Sequence, residues 1–158
     1  MSNGVPLTAF NFKVEIALPD EPEHLCKAAF SECSGLEVTA DVKTIREGGN
    51  NTRPIHLVGP VSYGQLGLKR GMTAGFDLWR WFDRVLVGGE HHLRATCEVA
   101  MLSSDRTRSD AVFVLTGCLP TKIKAPALNA KDGAIAIEEL SIAYELLTLK
   151  ASGGGGGA

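Results

Sequence analysis

The sequence predicts a mainly β fold, a sandwich or barrel of about seven or eight strands with one packed α-helix at about residues 74–87. Three observations carry that expectation. Several segments alternate apolar and polar residues with period 2, as half-buried strands do. One segment switches to the helical period. Clusters of Gly, Pro, Asn and Asp punctuate the rest.

The first strand is Phe10 to Leu18: Phe10, Phe12, Val14, Ile16 and Leu18 share one face, Asn11, Lys13 and Glu15 the other, and Pro19-Asp20-Glu21-Pro22 ends it. A second strand region runs from Ala29 to Thr44 with a break at Ser34-Gly35. Leu36, Val38, Ala40 and Val42 form its apolar face, and Glu37, Thr39, Asp41 and Lys43 a long polar face that implies one wet side. Arg46 to Pro54 reads as an exposed loop, because Gly48, Gly49, Asn50 and Asn51 tolerate positive φ. Ile55 and Leu57 resume an apolar face, which Gly59-Pro60 is expected to interrupt. Leu66 and Leu68 mark a short strand ending at Lys69-Arg70-Gly71.

The helix has Thr73 as its expected N-cap and Gly88-Gly89 as its stop. On a helical wheel Asp77, Arg80 and Arg84 fall in a narrow polar sector. Phe76, Leu78, Trp79, Trp81, Phe82, Val85 and Leu86 cover more than half the circumference, and four of the ten aromatic residues lie here. That is broader than the stripe of an ordinary surface helix. Either the helix is sandwiched inside its own domain or its outer face meets another subunit. Trp81, nearest the polar sector, most needs the extra cover.

Beyond the helix, Leu93, Ala95, Cys97, Val99 and Met101 alternate with Arg94, Thr96 and Glu98. Ser103 to Asp110 reads as a hairpin loop and Ala111 to Leu119 as a strand covered on both faces. Lys122 to Asn129 reads as irregular, and Leu140, Ile142, Tyr144, Leu146 and Leu149 as a final strand, with Ala134 to Glu139 open between strand and helical turn. Residues 1–150 are expected to form one domain and 151–158 a flexible Gly-rich tail.

Composition narrows the function. The chain has 158 residues, 44% hydrophobic and 22% charged, with net charge −2. Disorder and a dedicated nucleic-acid binder are both disfavoured. No apolar run approaches the roughly 20 residues of a membrane span, and the first residues show no export signal. Without one, Cys26, Cys33, Cys97 and Cys118 are expected as reduced structural thiols. His24, His56, His91 and His92 lack metal-ligand spacing. Glu47 to Asn51 lacks the Gly-Lys-Ser/Thr ending of a phosphate loop. The adjacent acids Asp20-Glu21 and Glu138-Glu139 do not supply a facing carboxylate pair. No enzyme, cofactor or metal is expected; strong strand patterning and an over-apolar helix favour an assembly role.

Several motifs in order carry a resemblance: Phe30 to Glu37, Arg46 to Asn51, Leu66 to Thr73, Leu78-Trp79-Arg80-Trp81 and Ala136 to Glu145. Together they resemble the tail tube proteins of T4-type contractile phages and the inner tube proteins of phage-tail-like contractile injection systems, over about residues 8–149. Cys33 and the Gly-rich tail depart from the family pattern.

The resemblance implies hexameric rings with a continuous luminal β-barrel, stacked into a conduit that sheath contraction drives through a target envelope. Tube-initiator or baseplate-adaptor proteins of the same fold, forming a single ring, are the alternative. Implied partners are further copies, a sheath protein, baseplate, initiator and terminator proteins, and a luminal cargo, with no stable nucleic-acid binding. Assembly would occur in the bacterial cytoplasm, for action in a tail or a released particle. On this frame Glu37, Thr39, Asp41, Lys43, Arg94, Thr96 and Glu98 are expected to face the lumen. Arg46, Glu47, Gly48, Gly49, Asn50, Asn51, Thr52 and Arg53 are expected to contact the next ring. Phe76, Trp79, Trp81, Phe82 and Val85 are expected at the subunit interface.

Overall fold

Alternation in the sequence becomes antiparallel pairing throughout the computed structural model. It describes residues 11–21, 26–28 (backbone), 30–46, 48, 53–72, 75–131, 133 and 135–151. The elements in order are β1 (Phe12–Ala17), β2 (Cys26–Ala28), β3 (Glu32–Ser34), β4 (Val38–Ile45), β5 (Ile55–Tyr63), β6 (Gln65–Gly71), α1 (Asp77–Phe82) with a π-helical turn Asp83–Val87, β7 (Ala95–Leu102), β8 (Ser109–Lys124), β9 (Ile137–Ala143) and β10 (Leu146–Ala151). The glycine tail expected at 151–158 lies, after Ala151, outside the described residues.

Among the described residues eight strands form one open sheet in the order β2-β1-β7-β8-β9-β6-β3, with β10 also on β8, and β4 and β5 pair only with each other. The 16-residue β8 is the hinge of the design. Its first half pairs with β7 and β10, and its last residues, Leu119 to Lys124, pair with β9. Between them Gly117 turns the strand at φ +66, where a Cβ would collide with Glu145. Such a corner lets one strand serve two half-sheets. One core results: Val14 and Ile16, Leu66 and Leu68, Cys97 and Val99, Leu115 and Cys118, and Leu140 and Ile142 meet Leu78, Trp81 and Val85 of the helical segment.

Three expectations are corrected. Gly59-Pro60 does not interrupt β5. It forms a bulge, two residues facing Asp41 between the Ala40–Val61 and Val42–Val58 pairs, a place in a sheet that tolerates proline. Pro120 likewise lies inside β8, at the register shift before Lys122. The expected final strand is two, split at Tyr144-Glu145 where β8 turns its corner.

The helix is shorter than expected. Phe76 sits at its N-cap with φ 51, so regular helix begins at Asp77; Thr73 lies outside the described residues. The expected stop holds, with Gly88 at the C-cap and Gly89 at φ +85. Cys97 and Cys118 are buried thiols and Cys33 is a half-buried one; burial pushes the Cys33 thiol up to about 11.

Candidate assembly surfaces

The β4–β5 hairpin stands off the core on an anchored base. Gly35, at φ +89, packs so closely on the Gln65 backbone that a Cβ would overlap its carbonyl oxygen. The Tyr144 hydroxyl donates to the Gly35 carbonyl at 2.7 Å, with the Glu37 carbonyl 3.1 Å away, and accepts the Glu37 N–H at 3.2 Å. Tyr63 lies against Tyr144, ring centroids 5.6 Å apart, and the Gly64 N–H donates to the Glu37 carbonyl at 3.2 Å. Beyond this clamp every β4 residue is exposed, as is β5 except Gly59 and Tyr63. A lone two-stranded sheet is marginal in water. The hairpin nonetheless leaves Val38, Val42, Ile45, Ile55, Leu57, Val58 and Val61 exposed.

The expected luminal residues fall into two groups. Glu37, Thr39, Asp41 and Lys43 share one exposed face by plain alternation, with Ser62 opposite Thr39. Thr96 and Glu98 lie on the outward face of β7, in a different sheet, opposite Ala17 and Glu15. Arg94 precedes β7 and pairs with Glu145 at 3.6 Å. Among the described residues no strand pairing joins the two groups. Of the expected inter-ring loop, Arg46, Gly48 and Arg53 are exposed at the hairpin's far end. Glu47, Gly49, Asn50, Asn51 and Thr52 lie outside the described residues.

The helix reading needs correction. Trp81, expected to seek cover from a neighbour, is 1% exposed within its own chain, and Val85 is fully buried. The wheel's wide apolar arc is largely consumed by the monomer's core. Trp79 and Phe82 are half-buried, and Phe76, outside the regular helix, is 49% exposed.

The sequence reading also missed a buried polar cluster. Arg70 on β6 and Glu138 on β9 are direct cross-strand partners, 3% and 2% exposed. Arg70 Nε donates to Glu138 Oε1 at 2.6 Å, and Arg70 Nη2 also bonds Asp77 at the helix start. Trp79 Nε1 donates to Glu138 Oε2 at 3.0 Å, and the Phe30 ring lies 5.6 Å from the guanidinium carbon. These contacts fasten the helix to the seam between β6 and β9. A signal was present in parity: Arg70 continues the inward set Leu66 and Leu68, and Glu138 precedes the inward set Leu140 and Ile142. Two opposite charges on core-facing positions demand each other.

Elsewhere Arg84 ties the helical segment to Asp20, Glu21 and Glu90. Its hydrogen bond holds the Asp20 carboxyl below the ordinary carboxylate range. Among the described residues no group of three or more His, Cys, Asp or Glu is placed to hold a metal, and no helix is long and apolar enough to cross a membrane. The carboxylates brought together are engaged with Arg and Trp donors, an arrangement that fixes elements in place.

Comparison with known proteins decides the family. The sequence model for the T4-like virus tail tube protein gp19 matches residues 8–148. The chain belongs to the T4-like tail tube protein family. Among solved structures, a chain in the cryo-EM structure of the anti-feeding prophage baseplate, 6-fold symmetrised, is 27% identical with TM-score 0.81, over 93% of this chain and 97% of that one. A chain of an extracellular contractile injection system, the PVC sheath–tube complex in its extended state, is 19% identical with TM-score 0.77, over 94% of each chain. Hcp1 from Flavobacterium johnsoniae shares the fold more distantly, at 13% identity and TM-score 0.50, over 89% of this chain and 96% of that one. Comparison with curated protein sequences finds no significant match. The motifs of this tail tube protein that carried the resemblance include Arg70, Trp79 and Glu138, the residues of the buried cluster.

Proposed function

We propose that this tail tube protein closes into hexameric rings that stack as the inner conduit of a contractile injection particle, with no catalytic step of its own. The observation that carries the reading is the β4–β5 hairpin, anchored at its base and exposed on both faces, in a chain of the tail tube family. A sheet closed by neighbouring copies loses its free edges, and head-to-tail contacts close a ring when their rotation does. In that ring the Glu37, Thr39, Asp41 and Lys43 face lines the lumen, a wet wall of mixed charge. The far end of the hairpin, with Arg46 and Arg53, faces the next ring, and Phe76 and Phe82 meet the adjacent subunit. Thr96, Glu98 and Arg94 reach the lumen only if a neighbour's sheet brings them there.

Sheath, baseplate and terminating-cap proteins are the partners this reading implies, because similar chains occur in a sheath–tube complex, a baseplate and a tube-terminating cap. The site of action is then a tail or a released particle, after assembly in the bacterial cytoplasm. A second reading, a single-ring baseplate component, is favoured by the 27% identity to a chain in a baseplate structure. Negative-stain electron microscopy over a concentration series separates them. Stacked hollow tubes support the conduit, and rings that never stack support the baseplate component. A monomer at every concentration, also when candidate baseplate proteins are added, overturns both.

A further inference from the structure

The corner of β8 brings two thiols together. Leu115 and Cys118 stand three residues apart and would lie on opposite faces of a regular strand. Both are instead fully buried in the core. The reason is a bulge. Ala95 of β7 faces Cys118 and Cys97 faces Leu115, so Thr116 and Gly117 together stand opposite Thr96. The extra residue turns Cys118 inward, onto the face of Cys97, which is also fully buried. The Cys118 sulfur lies 3.3 Å from the carbonyl oxygen of Leu115, the residue directly across from Cys97. The Cys97 thiol donates to that sulfur, and the bond holds the Cys118 thiol below its ordinary value although burial opposes it. The half-buried Cys33 is pushed the other way by burial.

We propose that Cys97 and Cys118 form a redox staple: oxidation joins them in a disulfide across the bulge and locks β7 to β8 at the corner where the two half-sheets meet. A buried thiol is ordinarily a small apolar filling. This pair differs in that one sulfur touches the other across an interrupted rung of the ladder. Because the pair is buried, the oxidant is a small one, a peroxide. The Cys118 thiolate attacks one peroxide oxygen, the O–O bond breaks, and the displaced hydroxide takes the proton that the thiol gave up. Cys118 is then a sulfenic acid and one water has left. The Cys97 sulfur attacks the Cys118 sulfur, the S–O bond breaks, and the departing hydroxide takes the Cys97 proton as a second water. Two thiols have lost two electrons in all, and one peroxide has become two waters. The new bond closes a loop of about 20 residues and stabilises the fold by restricting the unfolded chain. Only the timing rests on the function proposed above: a tube built in a reducing cytoplasm and then released meets oxidising surroundings.

Wild type, at a concentration where sedimentation shows a single chain, is treated with dithiothreitol or with hydrogen peroxide. Each treatment is run in buffer and again in urea below the unfolding transition, which lets the corner open. Cysteine pairing is mapped by mass spectrometry of non-reduced peptides, and each sample is melted after the urea is removed. The expected result is a peptide pair joined through Cys97 and Cys118, with a melting temperature roughly 6–12 °C above that of the reduced sample. Cys118→Ala should lose both the link and the rise; where that variant does not fold, the wild-type map and melts decide. The staple is overturned by Cys97 and Cys118 unlinked in both conditions, or linked instead to Cys26 or Cys33. It is equally overturned by a link without a rise in melting temperature, or by a rise that persists in Cys118→Ala. Electron microscopy of both samples at higher concentration is scored separately. A wild type that forms no rings, with or without baseplate proteins, overturns the ring reading and leaves the staple standing.

Discussion

Removing Glu138 should cost this protein a large fraction of its stability. In the folded chain Glu138 is 2% exposed and accepts from Arg70 at 2.6 Å and from Trp79 at 3.0 Å. Glu138→Ala leaves the Arg70 guanidinium buried and without the carboxylate that faces it across the strands, while its bonds to Asp77 stay. Breaking a buried ion pair by deleting one partner costs about 3–5 kcal/mol, and an indole N–H losing its acceptor adds about 1 kcal/mol where it stays buried. Trp79 is half-buried and water can reach it, so the total should stay within about 3–5 kcal/mol. Against a typical stability of about 5–15 kcal/mol that is decisive.

The assay is urea unfolding followed by tryptophan fluorescence, at concentrations where sedimentation shows a single chain, because assembly would raise the apparent stability. With a slope of about 1–3 kcal/mol per molar urea, the midpoint should fall by roughly 2 M. Glu138→Gln keeps an acceptor and should cost less. The double variant Arg70→Met with Glu138→Leu removes both charges and should recover most of the loss, since a buried pair is commonly replaceable by apolar residues of similar volume. A loss under about 1 kcal/mol for Glu138→Ala, or a double variant less stable than the single one, would refute the claim that the cluster pins the helix to the sheet.

Further outcomes follow from the same geometry. Trp81→Ala should destabilise the isolated chain by about 3–5 kcal/mol, because the ring lies in the monomer's own core; a variant that melts like wild type yet fails to form rings would restore the interface reading. Gly35→Ala combines a left-handed φ with overlap on the Gln65 carbonyl and should abolish the soluble fold; unchanged expression and melting would sink that account. Asp105 accepts hydrogen bonds from Ser103 at 2.5 Å and from the Thr107 hydroxyl at 2.7 Å, which hold its carboxyl at about 2, below its ordinary 3.8. Because the folded value is depressed, the loop's stabilisation is fully present above 3.8 and lost as pH falls through about 2. The Thr107 amide resonance should titrate near 2, and a midpoint near 3.8 would contradict the network.

Local pattern carried much of this fold. β1 and β7 were legible because each packs one face on the core, so burial and alternation coincide. Prolines misled because a break signal assumes that the N–H is needed. Pro60 sits in a bulge and Pro120 beside a register shift, irregular places in a ladder where proline is tolerated. The helix start was illegible because Phe76 adopts a left-handed cap that no capping residue announces. The wheel counted apolar residues around α1 correctly but could not say which chain covers them. The hairpin's polar face was legible, while its register beyond β5's bulge was not, since that shift is one that only pairing reveals.

The division of labour between conserving the fold and choosing the neighbour is visible in where each kind of residue sits. Arg70, Trp79 and Glu138 belong to the motifs by which the family is recognised, and they converge on one buried fastening between helix and sheet. Within the chain they fix the helix to the sheet. The exposed aliphatic residues of β4 and β5 do the opposite: they add little to the isolated chain, because they are left in water there. The part of such a side chain left in water stabilises, by about 25 cal/mol for each Å2 of apolar area removed from water, only when something covers it. On the ring reading the hairpin is the part whose burial depends on assembly, and the Tyr144 clamp at its base ties it to the core.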